Sequence, residues 1–144
     1  MTRVWKLPLL LALCGVVVAA GLAFGGSPVA AGLYLLLCAA LAGMNSPLFF
    51  PKALGAAEAR RRSAADGRPV VYWRPGCKYC LRLRLRLGRT ARQLHWVDIW
   101  RDPEAAAVVR AANDGDETVP TVVIDGRPYT NPDPAWLRAR LPAA

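Results

Sequence analysis

The sequence predicts an α/β domain of order βαβαββα carried behind a pair of long apolar helices. Three observations lead there. Leu7 through Pro51 is a run of 45 residues without Asp, Glu, Lys, Arg or His, while all ten acidic residues of the 144 lie at Glu58 or later. From Pro69 onward, short β-branched and aromatic runs alternate with helix-forming segments. Asp125-Gly126 between two such runs marks a tight hairpin. The uneven charge excludes a uniform globular chain, and the Leu-, Ala-, Val- and Gly-rich first third excludes intrinsic disorder there. Residues 68–144 can hold only one small core, and the chemistry must fit within it.

The apolar run is long enough for two membrane crossings, since ~30 Å of hydrocarbon takes about 20 helical residues. They are expected at about 4–24 and 29–50 within an anchor of residues 1–51. Gly25, Gly26, Ser27 and Pro28 form the turn between them, with Pro28 suited to a first helical turn. Arg3 and Lys6 precede the pair, Lys52 and Arg60, Arg61 and Arg62 follow it, and the turn carries no charge. That asymmetry places both termini and the following domain on the cytoplasmic side of a multi-pass cell-membrane protein. The alternative is a secretory signal peptide, with small residues around Val18 to Ala23, which would send the domain outside. Gly21 and Gly25 have the spacing of a close helix contact, although chance explains it in so glycine-rich a segment.

Residues 52–67 are Ala-rich with an Arg triplet and no convincing apolar face, so a basic helical linker near the membrane surface is expected. Pro69 to Trp73 reads as a buried strand stopped by Arg74, Pro75 and Gly76. Leu81, Leu83, Leu85 and Leu87 then alternate with arginines, a period-two pattern. Helix is nonetheless expected, because Leu and Arg are strong helix formers and the leucines stack at i,i+4. Leu94 to Trp100 is a second strand. Asp102 and Pro103 open a helix through Asn113, and Asp114 to Glu117 is a polar loop. Thr121 to Ile124 and Arg127 to Thr130 flank the hairpin turn, and Asn131 to Pro134 caps a last helix through Leu141.

Cys14 and Cys38 fall in the expected spans and behave as small hydrophobes. Cys77 and Cys80 form Cys-Lys-Tyr-Cys at a strand-to-helix junction. At a helix start Cys77 meets unpaired backbone N–H groups and the positive end of the helix dipole, with Arg74 and Lys78 near in sequence. Each favours the nucleophilic thiolate. Cys80, nearly a turn further in, is placed to resolve a disulfide. A structural zinc site wants four ligands, and the soluble part offers only His95 besides, so no metal is expected. A merely structural disulfide is disfavoured by a reducing compartment and by the small loop it would close.

Val70-Val71-Tyr72-Trp73-Arg74-Pro75-Gly76-Cys77-Lys78-Tyr79-Cys80, with Thr118-Val119-Pro120-Thr121-Val122-Val123 some forty residues later, resembles the glutaredoxin type of the thioredoxin fold. The resemblance covers Arg68 to Leu141 and implies a glutaredoxin-like domain over 68–144. It implies that Cys77 and Cys80 are catalytic, that Pro120 is a cis proline facing Cys77, and that Val119 offers its backbone to a substrate thiol. Arg74, Lys78, Tyr79 and Thr118 would join these in binding substrate. Many glutaredoxins follow the hairpin with a Gly-Gly and acidic stretch for glutathione. Here Thr130-Asn131-Pro132 stands instead, which looks more like the mycoredoxins and adds Thr130 and Asn131 as candidate binding residues. The resemblance implies mycothiol, or else glutathione, as cosubstrate, with no bound cofactor and with electrons ultimately from NADPH through a reductase.

The formal charge is +9, and the densest basic clusters are the Arg60 triplet and the Leu/Arg helix. Without interleaved stacking aromatics this favours a surface facing anionic lipid over nucleic acid. Trp73, Trp96, Trp100 and Trp136 are expected in packing, as is His95. The expected activity is reduction of mixed disulfides between proteins and a low-molecular-weight thiol by a membrane-anchored enzyme. The competing readings are an exported disulfide oxidoreductase and a membrane interaction module that keeps a thioredoxin-like shape.

Overall fold

The computed structural model describes residues 5–46 and 49–141, which fall into two compact units divided between Phe49 and Phe50. The first unit is a helical hairpin of α1 (Lys6–Phe24) and α2 (Pro28–Asn45). Gly26 turns the chain at φ +79° and Pro28 enters the first turn of α2, where a missing N–H costs nothing. Both helices are long and apolar enough to cross a membrane by length and composition, and most of their side chains are exposed. They touch at Gly15, where an added Cβ would stand 2.6 Å from Cys38 Cβ. A Cβ added at Gly21 would meet nothing within 4 Å, so the Gly21/Gly25 spacing does not mark a close contact with α2. Arg3, Val4 and residues 47–48, which belong to the expected spans and their flanks, lie outside the described residues.

The second expected span reaches Phe50, whereas α2 ends at Asn45. Ser46 is extended at φ −75°, ψ 144°, the backbone conformation that a residue preceding a proline in sequence prefers. Phe50 belongs to the second unit. Its ring stacks 3.8 Å from Trp73 and meets Trp96 edge-on at 5.6 Å.

The second unit comprises α3 (Ala56–Asp66), β1 (Val70–Trp73), α4 (Lys78–Leu87), β2 (His95–Asp98), α5 (Pro103–Ala112), β3 (Thr121–Ile124), β4 (Arg127–Thr130) and α6 (Pro134–Arg138). A 3₁₀ turn over Gly88–Gln93 links α4 to β2. The strand order is β2-β1-β3-β4, with β1 and β2 parallel and the other pairs antiparallel. All four residues of the central strand β1 are buried, and so are those of the edge strand β2, along which Leu54 forms a parallel bridge to Val97. The period-two leucines do form a helix: Cys80, Leu83 and Leu87 are buried while Leu85 is exposed.

The stretch expected as a linker is instead built into this unit. Ala56 and Ala59 of α3 are wholly buried, since methyl side chains one turn apart let the helix lie close to the sheet. Ala56 N–H donates to Asp102 Oδ2 at 2.6 Å, and Arg60 pairs with Glu104 on α5. Leu54 N–H donates to Trp96 O at 2.8 Å, and His95 Nε2 lies 2.9 Å from Asp66 Oδ2, tying the end of α3 to β2. The packed unit therefore starts at Phe50 and not at residue 68.

Phe50→Ala should destabilise the thiol-bearing unit of the full chain by about 3 kcal/mol, because it empties an aromatic-lined site. Denaturant unfolding followed by tryptophan fluorescence measures this; a residue serving only a membrane span would leave the transition in place.

Candidate active site

β1 delivers the chain to a turn in which Gly76 adopts φ +75°, a left-handed value that an L side chain would resist. Cys77 follows in extended geometry as the N-cap of α4. The first N–H groups of a helix have no partner within it, and here the Cys77 sulfur accepts from Cys80 N–H at 3.2 Å. The Cys80 thiol lies 2.7 Å from the same sulfur and donates to it. Cys77 is half-buried and Cys80 fully buried.

This geometry separates the two thiols. The hydrogen bond from the Cys80 thiol, then those from the backbone N–H groups of Cys80 and Tyr79, and the Arg74 guanidinium hold the Cys77 thiol down to about 6 against the opposing effect of burial. Burial pushes the Cys80 thiol well up, and its bond to Cys77 and the charge on Cys77 add to that. At neutral pH Cys77 is the thiolate and Cys80 keeps its proton.

The facing wall comes from the segment before β3. Val119–Pro120 is cis, Pro120 is buried, and Val119 O lies 3.4 Å from Cys77 Sγ. Arg74, Gly76, Cys77, Lys78, Tyr79, Thr118 and Val119 line one cleft of about 550 Å³ together with Asp116 and Glu117. The two acids were not among the expected site residues; Glu117 pairs with Arg110 at 2.6 Å. Trp100 is 43% exposed, and the Arg74 guanidinium stands 5.8 Å from its ring centre. Lys78 Nζ is 5.0 Å from the ring centre of Tyr79. His95 is engaged with Asp66, and among the described residues no group of three or more His, Cys, Asp or Glu gathers that could hold a metal.

Thr130 and Asn131 are not in this cleft. The antiparallel register sets Thr130 opposite Thr121, and its hydroxyl donates to Asn113 Oδ1. Asn113 Nδ2 donates to Val109 O at 2.7 Å and to Thr121 Oγ1 at 3.1 Å, and that hydroxyl donates to Thr118 O at 2.7 Å. Asn131 N–H donates to Pro120 O at 2.7 Å. Thr130 and Asn131 thus brace the cis-proline segment. Asn113, at the end of α5, is the centre of the brace, and nothing beyond its polarity at a helix terminus marks it in the sequence.

Two expectations follow. Cys80→Ala removes the largest influence lowering the Cys77 thiol, so the pH of half-maximal alkylation of Cys77 should rise by about one unit or more. Asn113→Ala should raise the KM for a mixed disulfide about fivefold, the worth of one net hydrogen bond, while that alkylation midpoint stays in place.

The glutaredoxin family model matches residues 70–128, spanning β1, the two cysteines, the cis proline, β3 and the hairpin turn. A Mycobacterium tuberculosis protein assigned to the glutaredoxins is 39% identical over 73 residues, which is 50% of this chain and 87% of that protein. Mycoredoxin 1 of Corynebacterium glutamicum is 35% identical over 75 residues, 51% of this chain and 92% of its own. With the thiolate at the helix start, a buried second thiol and a facing cis proline, the chain belongs to the glutaredoxin family of thiol–disulfide oxidoreductases.

Proposed function

We propose that the enzyme reduces mixed disulfides between proteins and mycothiol, working at the cytoplasmic face of the cell membrane to which α1 and α2 anchor it. The observation that carries the redox reading is the Cys77 sulfur, capped by Cys80 N–H and 3.4 Å from Val119 O beside a cis proline. An extended substrate can pair with the Val119 backbone, which orients its disulfide for in-line attack without reading side chains.

The Cys77 thiolate attacks the sulfur of the small thiol in the mixed disulfide. The old S–S bond breaks, the protein leaves as a thiolate that takes up a proton, and Cys77 carries the small thiol. A second small-thiol thiolate then attacks that sulfur, forming the small-molecule disulfide and regenerating the Cys77 thiolate. Alternatively Cys80 loses its proton and attacks Cys77, forming the intramolecular disulfide and releasing the small thiol. Once Cys77 is bonded to the small thiol, its negative charge is gone, which removes two of the three influences that raise the Cys80 thiol. The resolving thiol is therefore restrained until it is needed.

Mycothiol is favoured by the similarity to a mycoredoxin and by Thr130-Asn131-Pro132 after the hairpin. Membrane anchoring is supported by the length and apolarity of α1 and α2, and the cytoplasmic side by basic residues outside the pair and none in its turn.

Turnover with mycothiol- and glutathione-mixed disulfides side by side tests the substrate; faster reduction of the glutathione form would overturn the mycothiol assignment. Cys77→Ser should abolish both activities, whereas Cys80→Ser should retain monothiol turnover and accumulate a Cys77 adduct detectable by mass. Full biological activity in Cys77→Ser would point to an interaction module instead. A reporter fused at Ala144 should be cytoplasmic; an outside location would turn the assignment to an exported oxidoreductase.

A further inference from the structure

We propose that the outward stripe of α4 docks on an anionic lipid surface, with Arg82, Arg86 and Arg89 meeting headgroups and Leu85 entering among them. The inference rests on the membrane anchoring proposed above and assigns the face of the enzyme that meets the bilayer. Lys78, Arg82, Leu85 or Arg86, and Arg89 recur at helical spacing, opposite the buried Cys80, Leu83 and Leu87. Leu85 is 55% exposed at the centre of this stripe. Arg138 of α6 donates to Arg86 O, which brings a further cation to the end of α4.

No acidic residue occurs between Asp66 and Asp98, so α4 and the 3₁₀ segment carry basic residues and no acid of their own. Among the described residues Arg82, Arg86 and Arg89 have no carboxylate partner, whereas Arg60 pairs with Glu104, Arg61 and Arg62 pair with Glu58, and Arg110 pairs with Glu117. The Arg60 triplet, expected to share the lipid-facing surface, is therefore largely neutralised on its own side of the fold. Uncompensated arginines around one exposed leucine match a surface that is anionic outside and apolar beneath, where guanidinium stems can lie along hydrocarbon. A purely polyanionic partner would have no use for Leu85. In sequence, residues 46–49 lie between the end of α2 and Phe50, the first residue of the second unit.

Hydrogen exchange of the full chain, read by mass spectrometry in two kinds of vesicle, tests the proposal. In vesicles with about 30% phosphatidylglycerol, amides of residues 82–92 should exchange at least about fivefold more slowly than in pure phosphatidylcholine, and added salt should abolish the difference. The combined variant Arg82→Gln, Arg86→Gln, Arg89→Gln should exchange equally in both, with its Cys77 alkylation midpoint unchanged as evidence of an intact fold. Equal exchange of the unmodified protein in the two vesicles would overturn the proposal, as would protection that appears only when RNA or an acidic polypeptide is added. Resistance to alkaline carbonate extraction reads the anchor separately. A chain that is extracted, yet protected on addition of the anionic vesicles, would refute anchoring and leave the docking face standing.

Discussion

The start of α4 imposes one requirement on which the chemistry depends: its first N–H groups must find an acceptor, and the acceptor is the Cys77 sulfur. A thiolate satisfies them far better than a thiol, because the N–H groups of Cys80 and Tyr79 and the Cys80 thiol converge on one atom beside a guanidinium. Ionisation of Cys77 is thus the completion of a helix cap. The same contacts hold the proton on Cys80, whose burial makes a second anion costly. One local arrangement therefore produces both a nucleophile and a resolving thiol kept in reserve.

The rest of the unit keeps that cap facing a substrate-binding edge. β1 carries the chain to Gly76 and Cys77, and β3, its antiparallel neighbour, begins directly after Pro120. Val119 O and Cys77 Sγ are brought together by strand register, and the Asn113, Thr121 and Thr130 hydrogen bonds hold the loop between α5 and β3 in place. Behind β1, Phe50 stacks on Trp73, four residues before the nucleophile, and α3 is joined to β2 and α5. Segments before the family-matched region thereby support the strand that presents the cysteine.

What could be read from the sequence was local. Cys-Lys-Tyr-Cys after a short buried strand, Thr-Val-Pro before a second, and Asp-Gly in a hairpin each carry their geometry within a few residues. Helix propensity settled α4 against its alternating pattern, and the exposure of Leu85 shows why the alternation misleads: only some of its leucines face the core. What escaped was non-local or of low contrast. The buried face of α3 is made of alanines, which leave almost no hydrophobic signal in an Ala-rich stretch. Phe50 closes an apolar run and reads as membrane, although the backbone restriction before Pro47 ends the helix earlier. Thr130 and Asn131 adjoin the motif in sequence, but strand pairing directs them to Asn113 and Pro120, and Asn113 gains its role from partners 8 and 17 residues away.

The ionisation of the two thiols in the unmodified, reduced protein tests the central claim most directly. Thiolate absorbance near 240 nm, followed from acid to alkaline pH, should show one thiolate appearing with a midpoint at about 6. The Cys80 thiol should remain protonated past pH ~9, where an ordinary cysteine has largely ionised. Two thiols titrating together near pH ~8.5, the value of an unperturbed cysteine, would contradict the account, because the helix cap would then be doing nothing to the sulfur.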